Sequence, residues 1–196
     1  MKRAADFCTV LRVLLAPVLA WQLSLPREQA GCMPLAVYLV AAGTDYVDGA
    51  LARAAGTASR RGRVFDHGAD ALLLFPAFLA LAMRGTIPFA LPLAAVTAFT
   101  LYVIEGWRRG GTLGAIELTS SRSGALGGVL NYVLVGAATV AICVDTRTVD
   151  RAIYPAAFAV AAVNVAAALE RLALLFMPAH ASPGAEREAR APRSSP

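Results

Sequence analysis

The stretch Asp45-Tyr46-Val47-Asp48-Gly49-Ala50-Leu51-Ala52-Arg53, followed by Gly62-Arg63-Val64-Phe65-Asp66-His67-Gly68-Ala69-Asp70, sets four carboxylates into two otherwise apolar segments. On a helix, Asp45 and Asp48 are three apart and Asp66 and Asp70 four apart, so each pair projects from one face of its own helix. Two such pairs facing each other make a cation cage. Ionisable groups within or at the end of a membrane-spanning segment are costly, and they persist mainly where they bind ions, protons or substrates.

The surroundings of this stretch decide the fold class. Of the 196 residues 58% are hydrophobic and only 16% charged, too apolar for an ordinary soluble domain. A helix needs about 20 apolar residues to cross the hydrocarbon layer. The charged punctuation leaves room for six such runs, near residues 8–25, 33–53, 66–84, 87–105, 124–144 and 152–177. None alternates like a strand, and in lipid only helices and closed barrels satisfy their own backbone. The expectation is therefore an all-α integral membrane bundle of six transmembrane helices over residues 1–178, with a disordered cytoplasmic tail at 179–196. That tail is rich in Pro, Ala, Ser, Glu and Arg and lacks the apolar content to fold alone. Lys2 and Arg3 precede the first run as they would in a signal peptide. Arg12 interrupts it and no clear small-residue cleavage site follows, so it reads as a retained first helix.

Sorting the 18 basic residues by side, Lys2, Arg3, Arg12, Arg53, Arg60, Arg61, Arg63, Arg108, Arg109, Arg122, Arg171, Arg187, Arg190 and Arg193 fall on one face of the membrane. Only Arg27, Arg84, Arg147 and Arg151 fall on the other. The positive-inside rule then places both termini and the carboxylates in the cytoplasm of a cell membrane. Cys8, Cys32 and Cys143 have no CxxC spacing and read as small apolar filler, with neither a metal site nor a disulfide expected.

Oxygen-only donors at this density suit a hard ion such as Mg²⁺ or Mn²⁺, and the lack of a Cys-rich or multi-His cluster argues against zinc. Four carboxylates are neutralised by two divalent ions, and two metals close together form a phosphoryl-transfer device. Gly49 beside Asp48 removes a side chain where a bulky ligand could approach the backbone, in a helix where Gly is otherwise a cost. Arg53 could hold a phosphate by two hydrogen bonds, or snorkel from its helix end to the interface. Gly56 to Gly62, with Thr57, Ser59, Arg60, Arg61 and neighbouring Arg63, read as a basic cytoplasmic turn suited to an anionic substrate.

These residues resemble a known family. The pattern D-x2-D-G-x2-A-R-x8-G-x3-D-x3-D of the CDP-alcohol phosphatidyltransferases is matched at all eight specified positions, from Asp45 to Asp70. The segment Asp6-Phe7-Cys8-Thr9-Val10-Leu11-Arg12 is similar to a loose version of the family's amino-terminal PNxLTLxR, keeping the Thr and the Arg. The resemblance implies that Asp45, Asp48, Asp66 and Asp70 bind two Mg²⁺ or Mn²⁺ ions, and that Asp70 is also the base that takes the acceptor's proton. Spacing alone does not single out the base. The resemblance further implies that Gly49, Arg53 and Ser59, with Ala52 and Gly62, hold a CDP-linked lipid, and that the protein is a homodimer. The implied reaction moves the phosphatidyl group of CDP-diacylglycerol to a hydroxyl of a small acceptor alcohol, releasing CMP. Glycerol 3-phosphate is the acceptor expected first. Ala71 stands where the family's glycerol-phosphate enzymes usually carry Lys, so inositol phosphate, inositol, serine, or a CDP-headgroup donor with diacylglycerol stay open.

A rival of another class is an ion-coupled transporter. Its binding sites would sit near the midplane on broken helices, whereas these carboxylates lie toward the cytoplasmic ends beside a basic turn. Arg108, Arg109 and Arg122 could reach the site or merely set topology. His67 reads as a neighbour of the carboxylates and not a ligand. Asn131 and Asn164 are expected to hydrogen-bond between helices, Gly124 and Gly128 to offer a close-packing surface, and Trp21 and Trp107 to anchor at the interface.

Overall fold

In the computed structural model every described element is an α-helix: α1 Lys2–Ser24, α2 Arg27–Ala30, α3 Met33–Ala54, α4 Arg60–Met83, α5 Ala90–Gly110, α6 Arg122–Val144 and α7 Arg147–Phe176. The described residues are 2–54, 60–110, 121–145 and 147–176; within them the side chains at 2–9, 45, 48–54, 60–65, 110, 147, 148 and 150 lie outside the description. The tail expected at 179–196 is among the residues not described.

Six long helices stand where six spans were expected. At a rise of about 1.5 Å per residue, helices of this length match a hydrocarbon layer about 30 Å thick. Four contain windows apolar enough to cross a membrane: Asp66–Met83, Ala90–Arg109, Arg122–Val144 and Arg151–Phe176. Two shorter apolar stretches, Val10–Ser24 and Met33–Thr44, belong to α1 and α3, whose other ends carry Lys2, Arg3 and Asp6, and Asp45, Asp48 and Arg53. Large apolar side chains such as Leu14, Leu39, Leu93, Val133 and Phe158 point outward, as a lipid-facing surface requires.

The helices close into a ring. α1 packs on α4, α4 on α5, α5 on α7, α7 on α6, α6 on α3 and α3 back on α1, with α4 and α6 also touching across the middle. Alanine dominates the seams: Ala16, Ala41, Ala77, Ala138 and Ala157 are buried among Leu19, Leu73, Phe78, Leu91 and Val135. Small side chains let backbones approach where lipid offers no hydrophobic drive between helices. Asn131 and Asn164 exchange hydrogen bonds of 3.2 and 2.9 Å between α6 and α7, as expected from their position in apolar runs. Of the expected pair, Gly124 packs closely, a Cβ there standing 3.1 Å from Ser121 Oγ and 3.7 Å from Arg171 Nη2 of α7. Gly127 faces Asn164, and Gly136 lies against Tyr38, whereas Gly128 has open space around it. Trp21 and Trp107 are both exposed, as interfacial anchors must be.

Three features depart from the sequence expectations. The short α2 was not foreseen. The basic turn is helical in its described part: α4 starts at Arg60, so Arg60, Arg61, Gly62 and Arg63 belong to its first turn, while Gly56, Thr57 and Ser59 lie outside the described residues. Arginine is a good helix former, and one glycine costs only about 1 kcal/mol there. The reading of Cys32 and Cys143 as apolar filler is overturned, because the two are joined in a disulfide. Residues 111 apart are brought within reach because α3 begins and α6 ends at the same rim of the bundle, with Cα atoms 4.2 Å apart. At that rim Arg27 of α2 also faces Asp145, which closes α6 in a left-handed conformation. Arg84 donates to the carbonyls of Leu23 and Leu25 at 2.8 and 2.6 Å, satisfying the end of α1.

Candidate active site

Asp66 and Asp70 project from the first half of α4 toward α1. Arg12 meets them from that helix: its Nη1 lies 2.6 Å from Oδ1 of Asp70 and its Nη2 3.8 Å from Oδ1 of Asp66. Arg12 is wholly buried. Its position follows from helical period, because Arg12, Ala16, Leu19 and Leu23 form one buried stripe while Val13, Leu14, Val18 and Trp21 face out. The guanidinium therefore compensates both α4 carboxylates from inside the protein. The Asp70 side chain remains about a quarter exposed and that of Asp66 more so, at 24% and 40%.

A second donor reaches Asp70 from α6, where the phenolic O–H of Tyr132 donates to the same Oδ1 at 2.5 Å. Tyr132 is in turn tied to α3, since Tyr38 donates to its backbone carbonyl at 2.8 Å. Neither tyrosine was foreseen from sequence, where nothing marks a lone Tyr in an apolar run.

Asp70 borders an open cavity of about 490 Å³ lined by α3, α4, α5, α6 and α7. Its walls are largely apolar, from Leu74, Phe75, Ala95, Phe99, Val129 and Ala167, with polar groups from His67, Asn131, Asn164, Ser121 and Arg171. His67 packs edge-on to the Tyr102 ring with centroids 5.7 Å apart. The helices run alternately up and down. The starts of α4 and α6 and the ends of α5 and α7 therefore meet at one end of the bundle, opposite the disulfide.

The cation on the cavity wall is Arg171, not one of the three arginines considered from sequence. It bonds Glu105 of α5 at 2.5 Å and lies 5.0 Å above the Tyr102 ring. Glu105 is itself buried and also pairs with Arg109, one turn on. Arg108 donates to the Leu175 carbonyl, and Arg122 is exposed at the start of α6. The Glu105–Arg109 spacing of four residues was a usable helical signal for this cluster.

The remaining motif residues are placed by backbone alone. Asp45, Asp48, Gly49, Ala52 and Arg53 lie on the second half of α3 and Gly62 on the first turn of α4, while Ser59 lies outside the described residues. α1 packs on both α3 and α4 and so holds together the two helices that carry the motif. As donors, the carboxylates suit a hard divalent cation in kind, and the α4 pair carries one negative charge beyond the single positive charge of Arg12.

The family model for CDP-alcohol phosphatidyltransferase matches residues 2–176, nearly the whole chain, and the protein belongs to that family. It is a membrane-bound transferase of phospholipid biosynthesis, a phosphotransferase for substituted phosphate groups that acts between a CDP-alcohol and an acceptor. The chain matches no curated protein.

Proposed function

We propose that the protein transfers the phosphatidyl group of CDP-diacylglycerol to a hydroxyl of a small acceptor alcohol, glycerol 3-phosphate first among them, which is the reaction of a phosphatidylglycerophosphate synthase. The observation that carries this reading is the Asp70 carboxylate, held by Arg12 and Tyr132 at the edge of a cavity large enough for part of a substrate. In this reading Asp70 accepts the proton of the acceptor hydroxyl as its oxygen attacks the phosphorus that bears diacylglycerol. The bond from that phosphorus to the CMP oxygen breaks, and CMP leaves. Arg12 and Tyr132 aim Asp70 through their hydrogen bonds to Oδ1.

Asp45, Asp48, Asp66 and Asp70 would hold two Mg²⁺ or Mn²⁺ ions, as the family resemblance implies. When bound, such ions supply charge stabilisation for the diphosphate. Gly49, Arg53 and Ser59, with Ala52 and Gly62, would hold the CDP-linked lipid, Arg53 by a two-pronged contact to phosphate. Both termini and the site face the cytoplasm. The charge asymmetry supports this orientation, and so does the disulfide at the opposite rim, since such bonds persist in oxidising compartments outside the cytosol. The working unit is a homodimer.

The test is CMP release from CDP-diacylglycerol by the purified protein, with Mn²⁺ or Mg²⁺, across a panel of acceptor alcohols. Release with glycerol 3-phosphate alone supports the reading in full, and release with another acceptor corrects the substrate. No release with any acceptor, from protein shown to be folded, turns the reading toward a CDP-headgroup donor. Arg53→Ala is expected to raise the KM for the CDP-lipid; unchanged kinetics would return Arg53 to an interfacial role.

A further inference from the structure

We infer that Tyr132 is a positioning residue for Asp70, fixing the plane in which its carboxylate meets the incoming groups; the inference rests on the reading of Asp70 given above. Two donors from different helices converge on one atom. Arg12 Nη1 of α1 and the Tyr132 hydroxyl of α6 reach Oδ1 of Asp70 at 2.6 and 2.5 Å. Oδ2 accepts from no described residue, and both Asp70 and Tyr132 border the cavity.

A carboxylate turns easily about its last torsion, whose preference is broad and two-fold. One donor leaves that rotation open, because either oxygen can take the bond. Two donors from separate directions on the same oxygen fix the plane of the carboxylate, so that the opposite oxygen is presented in one direction to a hydroxyl or a cation. A phenol suits this task better than a second guanidinium would. It adds a charge-assisted hydrogen bond without a further positive charge to compete with a divalent ion for the same carboxylate.

The support behind Tyr132 is built into the packing. Tyr38 donates to the Tyr132 carbonyl at 2.8 Å, and the Tyr38 ring lies so close to Gly136 that a Cβ there would stand 2.9 Å from it. Gly136 thus admits Tyr38, and Tyr38 ties α3 to the turn of α6 that carries the phenol.

The experiment uses the full chain in detergent, comparing wild type with Tyr132→Phe, which keeps the ring and removes the O–H, and with Asp70→Asn. The readouts are kcat and KM for CDP-diacylglycerol, the Mn²⁺ binding isotherm of the substrate-free protein by paramagnetic resonance, and the melting temperature. Loss of a group that orients a metal ligand lowers affinity or activity about 10- to 100-fold. Tyr132→Phe is therefore expected to weaken Mn²⁺ binding about tenfold and to lower kcat, with KM and melting temperature near wild type. A Mn²⁺ isotherm unchanged in Tyr132→Phe but weakened in Asp70→Asn overturns the inference and leaves Tyr132 as packing. An isotherm unchanged in both overturns it by removing the metal role of Asp70. The isotherm decides the matter even where no acceptor releases CMP, which separates this inference from the reading beneath it.

Discussion

Arg12 and Asp70, 58 residues apart in sequence, share a 2.6 Å hydrogen-bonded ion pair in which the guanidinium is wholly buried and the carboxylate faces the cavity. The pair joins the amino-terminal helix to the helix that carries the last two carboxylates of the motif. Arg12→Gln removes the buried positive charge that faces Asp66 and Asp70. It is expected to lower stability by about 3 kcal/mol, the lower end for a broken buried pair because both carboxylates keep some hydration. Denaturant unfolding in detergent checks this, and wild-type stability would show that the pair contributes little.

Asp70→Asn retains an oxygen able to accept from Arg12 and Tyr132, so the fold should survive while CMP release falls below detection. Activity assay and melting curve on the same preparation decide it. Retained transfer removes Asp70 as the base.

Glu105 is buried against Arg171 with Arg109 on its other side. Glu105→Gln removes the carboxylate that Arg171 bonds inside the bundle and is expected to cost about 3 kcal/mol. Adding Arg171→Gln should recover a large part of that loss, because the buried positive charge is then gone as well. A double-mutant cycle on unfolding midpoints measures the recovery, and strictly additive losses would mean that the two side chains act independently.

Gly136→Ala puts a methyl group where the Tyr38 ring now lies, with the nearest ring atom at 2.9 Å. Tyr38 must move and its bond to the Tyr132 carbonyl is lost. A helical Gly→Ala change otherwise stabilises by about 1 kcal/mol, so a drop in melting temperature here would identify the contact with Tyr38. A rise would show that Tyr38 yields freely.

The disulfide is checked by counting thiols. Of the three cysteines only Cys8 should react with maleimide in denatured, unreduced protein, and all three after reduction. Three reactive thiols before reduction would show Cys32 and Cys143 unbonded and withdraw their support for the orientation.

Sequence alone determined that this is a helical membrane bundle, where its six long helices run, and which family it joins. Each of these is a local property. Apolar length is set by bilayer thickness, and the eight motif positions sit within 26 consecutive residues, Asp45 to Asp70, where helical spacing already shows which side chains share a face. The Asn131–Asn164 exchange was legible for the same reason, since an amide in an apolar run must find a partner across a helix seam. Arg12 was half legible. Its register with Ala16, Leu19 and Leu23 marks a buried position, but nothing local names Asp70 as its partner.

Only the tertiary structure decided who meets whom across the ring. It brought Tyr132 to Asp70, Arg171 to Glu105, Tyr38 to Gly136 and Cys32 to Cys143, residues from 62 to 111 positions apart. These pairings depend on the order in which helices close around the cavity and on the rotation of each about its axis. Small-residue packing sets both, through contacts that no single segment of the chain contains.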